Sequence, residues 1–108
     1  MHPITNDTNK CARALAALKQ VNDPEIGLNV VDLGLIYQLD FDDGHQQVYA
    51  LMTLTTPFCP MGESLTTAVE NALISVFPHY TINVSLTFSP GWSADNISEE
   101  GKLFLHGN

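Results

Sequence analysis

The chain has 108 residues, of which 44% are hydrophobic, and a formal net charge of −8, a size and composition that predict one domain, residues 1–108, with a buried core. No Lys or Arg lies between Lys19 and Lys102, so the clustered basic side chains needed to bind nucleic acid or an anionic membrane are missing. No apolar run approaches the roughly 20 residues of a membrane span, and the start lacks the pattern of a signal peptide, so we expect a cytoplasmic protein.

The chain begins with a predicted helix and a capped turn. Within residues 8–20, Cys11, Leu15 and Leu18 recur at helical spacing, which indicates that Cys11 faces the core. Residues 23–27 then offer an N-cap aspartate, a proline at the first helical position and a glycine that can end the turn. We therefore expect a single helical turn there.

Two strands are predicted next, joined by a turn. Residues 35–41 alternate between apolar and polar side chains, and residues 42–44, Asp-Asp-Gly, reverse the chain. Residues 48–55 form the second strand. Because they are apolar on both faces, we expect this strand to be central in its sheet.

The second half of the chain predicts a long helix and a third strand. Residues 65–77 carry a wide apolar stripe that ends before Pro78, residues 82–88 alternate, and Ser98 can begin a last short helix. The order helix, strand, strand, helix, strand predicts an α+β fold. We expect a two-layer sandwich in which a right-handed crossover extends a hairpin into a small mixed sheet, with the helices on one face.

Cys59 is the best clue to chemistry, because it lies where the second strand pattern gives way to the long helix. With Pro60 at the first helical position, Cys59 would be the N-cap residue, and the unpaired amides there favour a thiolate, which is a nucleophile and a soft metal ligand. Neither cysteine belongs to a C-x-x-C pair and no histidine has metal-ligand spacing, so a stable zinc site is not expected. The alternative is that Cys59 is a small buried hydrophobe in a tight strand-to-helix turn. No Lys, Arg or His flanks it, and Glu63 opposes its ionisation.

Four ordered motifs run through the chain. They are Asp-Pro-Glu-Ile at residues 23–26, Asn-Val-Val-Asp-Leu-Gly-Leu-Ile-Tyr at residues 29–37, Thr-Leu-Thr-Thr-Pro-Phe-Cys-Pro at residues 53–60, and the segment 92–99, which begins with tryptophan. Together they resemble the SufT and PaaD type of iron-sulfur assembly protein, also called domain of unknown function 59. The resemblance implies an α+β domain that helps to install iron-sulfur clusters into client proteins.

The resemblance also implies a site. The family's shared cysteine corresponds to Cys59, its acidic pair to Asp23 and Glu25, and its threonines to Thr55 and Thr56. If the fold brings them together, the carboxylates could supply oxygen ligands for iron or act as a base toward the thiol, and the threonines could donate hydrogen bonds to a sulfide or thiolate. Judged locally, helix capping explains the two acids, and strand-end propensity explains the two threonines.

Trp92 allows two interpretations, a plug over the core or an exposed anchor for a partner. The family's usual Pro-Pro-Trp is Pro-Gly-Trp at residues 90–92, and its Ser-Glu-Glu-Ala is Ser-Glu-Glu-Gly at residues 98–101. Both departures predict a looser C-terminal segment.

The leading hypothesis is an accessory factor in iron-sulfur cluster assembly or delivery, with transient binding of iron or a cluster through Cys59. A cluster normally takes four protein ligands and the chain offers one thiolate, so we expect no tightly bound cofactor. Any bound cluster would need a second subunit, as in a homodimer, a partner protein or a small thiol. Expected partners are iron-sulfur scaffold or carrier proteins and apo client proteins.

Two other functions stay open at this point. One is a thiol enzyme with Cys59 as its nucleophile and Asp23 or Glu25 as its base, although no histidine lies near either motif. The other is a non-catalytic interaction module that docks a partner through its acidic face and Trp92. Of these functions, an assembly factor fits the motifs better than a catalyst does.

Overall fold

The computed structural model describes residues 3–55 and 62–106. Its elements, in chain order, are β1 (Ile4–Thr5), α1 (Thr8–Leu18), β2 (Ile36–Asp42), β3 (Gln47–Met52), α2 (Gly62–Val76), β4 (Thr81–Leu86), a short 3-10 helix (Ala94–Asn96) and α3 (Glu99–Leu105). Within the described residues, none of the helices has the length and apolar character needed to cross a membrane.

The four strands form one mixed sheet in the order β1-β2-β3-β4. β2 and β3 make an antiparallel hairpin, whereas β1 runs parallel to β2 and β4 runs parallel to β3. The predicted α+β class, the hairpin and the central position of β3 are confirmed. β1 was not predicted, because a two-residue strand is too short to show alternation.

Two helices and the sheet share one core. In the predicted α1 stripe Cys11, at 5% exposure, and Leu18 are buried, and Leu15 is half-buried against the core. Burial raises the pKa of the Cys11 thiol. The helices meet where the Arg13 guanidinium donates to the Val76 carbonyl oxygen at 3.5 Å and stacks 5.1 Å from the Phe77 ring. Among the described residues, the fully buried apolar side chains come from α1, β2, β3, α2 and the connection before β2, and include Leu18, Leu33, Leu39, Val48, Val69 and Leu73.

The strand directions bring three connections to one end of the sheet. Since β2 is antiparallel to β3 and β3 is parallel to β4, the start of β2 and the ends of β3 and β4 lie at the same end. Three chain segments therefore adjoin the same end of the sheet: 19–35, which leads into β2, 53–55, which follows β3, and 87–98, which follows β4. Each predicted site residue that the structure describes belongs to one of them.

Candidate functional site

The Asp23 turn, residues 23–27, is a single capped turn, as its sequence predicts. Asp23 is 2% exposed, and its Oδ1 accepts hydrogen bonds from the backbone N–H groups of Glu25 at 2.8 Å and Ile26 at 3.2 Å. The N–H of Gly27 donates to the Asp23 carbonyl oxygen at 2.8 Å, and Gly27 ends the turn with φ +80°. Asp23 thus performs the capping role that its local sequence favours.

Backbone hydrogen bonds tie the Asp23 turn to the end of β3. The Thr53 N–H donates to the Leu35 carbonyl oxygen at 2.9 Å, and the Leu35 N–H donates to the Val30 carbonyl oxygen at 3.0 Å. The Val30 N–H in turn donates to the Val21 carbonyl oxygen at 2.9 Å. Together these bonds connect the residue after β3 to the residue before β2, then to segment 29–34, and then to the residues just before the Asp23 turn. The turn is therefore held in a fixed position relative to the end of β3.

The structure places three of the five predicted site residues at this end of the sheet. Asp23 is buried, Glu25 is exposed on the same turn, and Thr55 is half-buried just after β3. Within the described part of the chain, no hydrogen bond joins Asp23 to Thr55. Thr56 and Cys59 lie in residues 56–61, outside the described residues, so their roles and the predicted helix start at Cys59 stay predictions.

In residues 3–55 and 62–106, no group of three or more His, Cys, Asp or Glu side chains is arranged to hold a metal ion. Cys11, buried on the core-facing side of α1 with a raised thiol pKa, is poorly suited to binding a metal ion.

A second cluster at this end of the sheet was not predicted, and we name it the C-terminal junction: segment 29–34 against segment 92–98. The Asp32 carboxylate accepts hydrogen bonds from Asn29 Nδ2 at 2.7 Å and from Ser98 Oγ at 2.8 Å. The Ser98 N–H donates to the Asp32 carbonyl oxygen at 2.8 Å, and Ser98 Oγ caps α3 by accepting from the Gly101 N–H at 2.9 Å. Asp32 therefore fixes the start of the last helix.

The charge state of Asp32 follows from these contacts. Partial burial acts to raise the pKa of the Asp32 carboxyl, but the hydrogen bonds from Asn29 and Ser98, with a smaller contribution from the Lys19 ammonium, bring it below its usual value. Asn29 carries a local sequence signal, because an Asn side chain often accepts a hydrogen bond from a backbone N–H two or three residues on, as it does from the Asp32 N–H at 2.9 Å. Ser98 gives no such signal, since its partner lies far away in sequence.

Trp92 closes the C-terminal junction from the other side. Its indole Nε1 donates to the Leu33 carbonyl oxygen at 2.6 Å, and the half-buried ring packs against the core. These contacts match the plug interpretation; the role as a docking anchor stays a prediction.

Gly101 is closely surrounded in this structure, and the expected loosening of the C-terminal segment stays a prediction. Gly101 is buried in α3, and a Cβ there would lie 2.9 Å from side-chain atoms of both Leu28 and Ile97. The glycine therefore lets α3 pack closely, and an alanine at this position would require the Leu28 and Ile97 side chains to shift.

Comparison with known proteins agrees with the motifs. The family model described as iron-sulfur cluster assembly protein matches residues 12–91. The chain is 44% identical over 89 residues to an Fe-S protein maturation auxiliary factor of Porphyromonas gingivalis, covering 82% of this chain and 83% of that protein. It is 36% identical over 86 residues to the Fe-S protein maturation auxiliary factor SufT of Staphylococcus aureus, covering 79% and 96% of the two chains.

A solved structure supports the same assignment. The crystal structure of a domain of unknown function from Bacillus anthracis superposes with a TM-score of 0.83 at 31% identity, covering 90% of this chain and 92% of that one. The family match spans the segment from α1 to the loop that follows β4 and includes the Asp23 turn, the segment of Cys59 and most of the connection to Trp92. On these grounds the chain belongs to the family of iron-sulfur cluster assembly proteins.

Proposed function

We propose that this protein is an accessory factor that helps to assemble iron-sulfur clusters or deliver them to client proteins. The observation that carries this function is the family match over residues 12–91, together with relatives named as Fe-S maturation factors that align over most of both chains. Its partners would be iron-sulfur scaffold or carrier proteins and apo client proteins, in the cytoplasm.

Cys59 is the residue that we assign to the cargo. A thiolate is the usual ligand of iron in clusters, and the other cysteine, Cys11, is buried with a raised thiol pKa. Iodoacetamide should therefore alkylate Cys59 well before Cys11 in the folded protein. Equal rates, measured by mass spectrometry of the two peptides, would contradict this assignment.

In this proposal the two acids of the Asp23 turn have different roles. Asp23 is buried and accepts two N–H groups of its own turn, so its first role is to hold the turn. Glu25 is exposed on the same turn, so we assign to it the oxygen ligand or base that faces the cargo. Thr55 and Thr56 would supply hydroxyl hydrogen bonds to a sulfide or thiolate.

The cluster is cargo here and not a resident cofactor. One thiolate cannot complete the four ligands that a cluster normally takes, so the remaining ligands come from a partner, a second subunit or a small thiol. Anaerobic reconstitution with iron and sulfide, followed by visible absorption, tests this statement. We expect little stable colour on the isolated monomer; a durable cluster at full occupancy on a monomer would contradict the ligand count.

A capture experiment in the native host tests the function itself. Tagged wild-type protein should recover scaffold, carrier or apo iron-sulfur proteins, identified by mass spectrometry, and Cys59→Ala should recover at least several-fold less. Cys11→Ala is the matched control, because it removes a thiol that is buried in the core; its fold is checked by circular dichroism. Recovery of no iron-sulfur protein, or equal recovery by the Cys59 variant, would count against the proposal.

A further inference from the structure

We propose that the outer edge of β4 pairs antiparallel with β4 of a second copy of this chain, so that the two Val84 residues lie opposite each other across a two-fold axis. The two sheets would then join into one continuous sheet. This pairing is independent of the function proposed above and would hold whatever cargo the protein carries.

The two edges of the sheet differ in whether their outward backbone groups are occupied by hydrogen bonds. At the β1 edge the strand has only two residues, and the Asn6 side chain continues it: Asn6 Nδ2 donates to the Phe41 carbonyl oxygen at 2.9 Å, and Asn6 Oδ1 accepts from the Phe41 N–H at 2.9 Å. The outward backbone groups of β2 are thereby occupied. Short strands and local caps of this kind protect a sheet edge from pairing with other chains.

The β4 edge has no such protection among the described residues. β4 is six residues long, stays in register with β3 throughout, and pairs with no other described strand. Its sequence, Thr-Ile-Asn-Val-Ser-Leu, contains no charge and no proline. A regular, neutral edge of this length is a template for a further strand.

The direction of the backbone groups follows from the pairing with β3. The N–H groups of Thr81 and Thr87 donate to Gln46 and Met52 of the β3 side, so the odd-numbered residues of β4 face β3. Alternation in a parallel ladder then points the N–H and C=O groups of Ile82, Val84 and Leu86 outward. Three consecutive outward donor and acceptor sets are available for pairing.

A two-fold axis through Val84 satisfies all three sets at once. Val84 would oppose Val84, and Ile82 would oppose Leu86 twice, each pair exchanging two hydrogen bonds. On the core face, Leu86, which is 44% exposed in the single chain, would cover the half-buried Ile82 of the other copy. On the other face Asn83 would oppose Ser85, an uncharged polar pair suited to a solvated surface.

Charge favours a second copy over a basic client segment. Residues 80–94 contain no Asp, Glu, Lys or Arg, in a chain of net charge −8. Two copies repel each other over most of their surface and can approach only where both are neutral. A basic segment would instead seek carboxylates, which this stretch does not offer.

The first test is the oligomeric state in solution. Sedimentation equilibrium of the full chain should show a closed dimer, and Val84→Pro should raise the dissociation constant at least tenfold. Proline removes the outward N–H of Val84 and no hydrogen bond to β3, and edge strands tolerate it. Leu103→Lys is the control, because Leu103 is more exposed than Leu86, at 66%, but lies on α3; it should leave the dimer unchanged.

The second test fixes the register and stands even if Val84→Pro fails to fold. In a Cys59→Ser background, Asn83→Cys combined with Ser85→Cys should form covalent dimers on mild oxidation, because opposed residues of a non-hydrogen-bonded pair lie about 4.5 Å apart at Cα, within disulfide range. Either cysteine alone would oppose a residue without a thiol, so each single variant should give at least fivefold less. A monomeric wild type, a dimer that Val84→Pro leaves intact, or equal cross-linking by a single variant would overturn the proposal.

Discussion

Two neighbouring turns of this protein share a backbone conformation and differ in what surrounds them. Gly27, in the Asp23 turn, has φ +80°, and Gly34, in the C-terminal junction, has φ +76°. A Cβ at Gly27 would meet nothing within 4 Å, whereas a Cβ at Gly34 would collide with the carbonyl oxygen of Asn96 and lie 2.7 Å from the Asn96 Cβ. The first turn is closed by its own residues, and the second is completed by a distant part of the chain.

Both turns lie within residues 23–34, a stretch that contains two of the family-like motifs in whole or in part, but they serve different purposes. The Asp23 turn is stabilised by its own hydrogen bonds and has open space beside Gly27. The segment 29–34 is instead the seat of the C-terminal segment, through Asp32, Leu33 and Gly34. Residues that look alike in sequence thus serve two different purposes, one local and one long-range.

The largest expected effect separates the two glycines. Gly34→Ala combines left-handed strain of about 1–2 kcal/mol with overpacking of about 1–3 kcal/mol, so the free energy of unfolding should fall by roughly 2–5 kcal/mol. Gly27→Ala, its matched control, carries the strain alone and should lose about 1–2 kcal/mol. Urea denaturation measures both values, and equal losses would show that Asn96 does not press on Gly34.

The next effect tests how the Asp23 turn is closed. Asp23→Ala removes the acceptor of two backbone N–H groups, so we expect a loss of about 1–2 kcal/mol, while Asp23→Asn keeps a capping oxygen and should lose only a few tenths. The asparagine variant also separates structure from chemistry. If it is stable but defective in cluster delivery, the carboxylate itself is needed; if delivery is normal, Asp23 acts as a cap.

The pH dependence of stability tests the C-terminal junction. Because the pKa of Asp32 is lowered in the folded protein, its contribution is fully present above the unfolded value of about 3.9 and is lost as the pH falls through the folded value. Asp32→Asn should cost about 1–2 kcal/mol at pH 7 and should flatten the loss of stability below about pH 4.5. An unchanged acid slope would mean that Asp32 does not hold the junction as a carboxylate.

The smallest effect concerns the tryptophan that covers the junction. Trp92→Phe removes the indole N–H and leaves the Leu33 carbonyl oxygen without this donor, so we expect a loss of about 1 kcal/mol in thermal or chemical unfolding. Partner capture by the same variant then addresses the anchor hypothesis. Capture that is lost while stability changes little would favour docking through Trp92 over packing.

The sequence predicted most of the fold because its signals are local. Alternation in residues 35–41 and the stripe in residues 65–77 reflect burial of one face, which period alone reveals. The Asp23 turn was predicted for the same reason, since capping involves residues two and three apart. β1 was not predicted, because a strand of two residues is too short to show a period.

The C-terminal junction could not be predicted in this way. Asp32 and Ser98 are 66 residues apart, and Gly34 needs to be glycine because Asn96 approaches it. Such contacts exist only once the sheet has brought segments 19–35 and 87–98 to one end. Ionisation of Cys59 is a further prediction of this kind, since it depends on what the fold places around the thiol.

The most direct test of the central claim is cluster transfer. An iron-sulfur carrier protein loaded with a cluster is mixed anaerobically with an apo ferredoxin, and visible circular dichroism follows the appearance of the holo ferredoxin. Catalytic amounts of this protein should raise the transfer rate severalfold, Cys59→Ser should abolish the gain, and Cys11→Ser should keep it. No acceleration by the wild type, or full acceleration by Cys59→Ser, would contradict a cluster-delivery role that depends on Cys59.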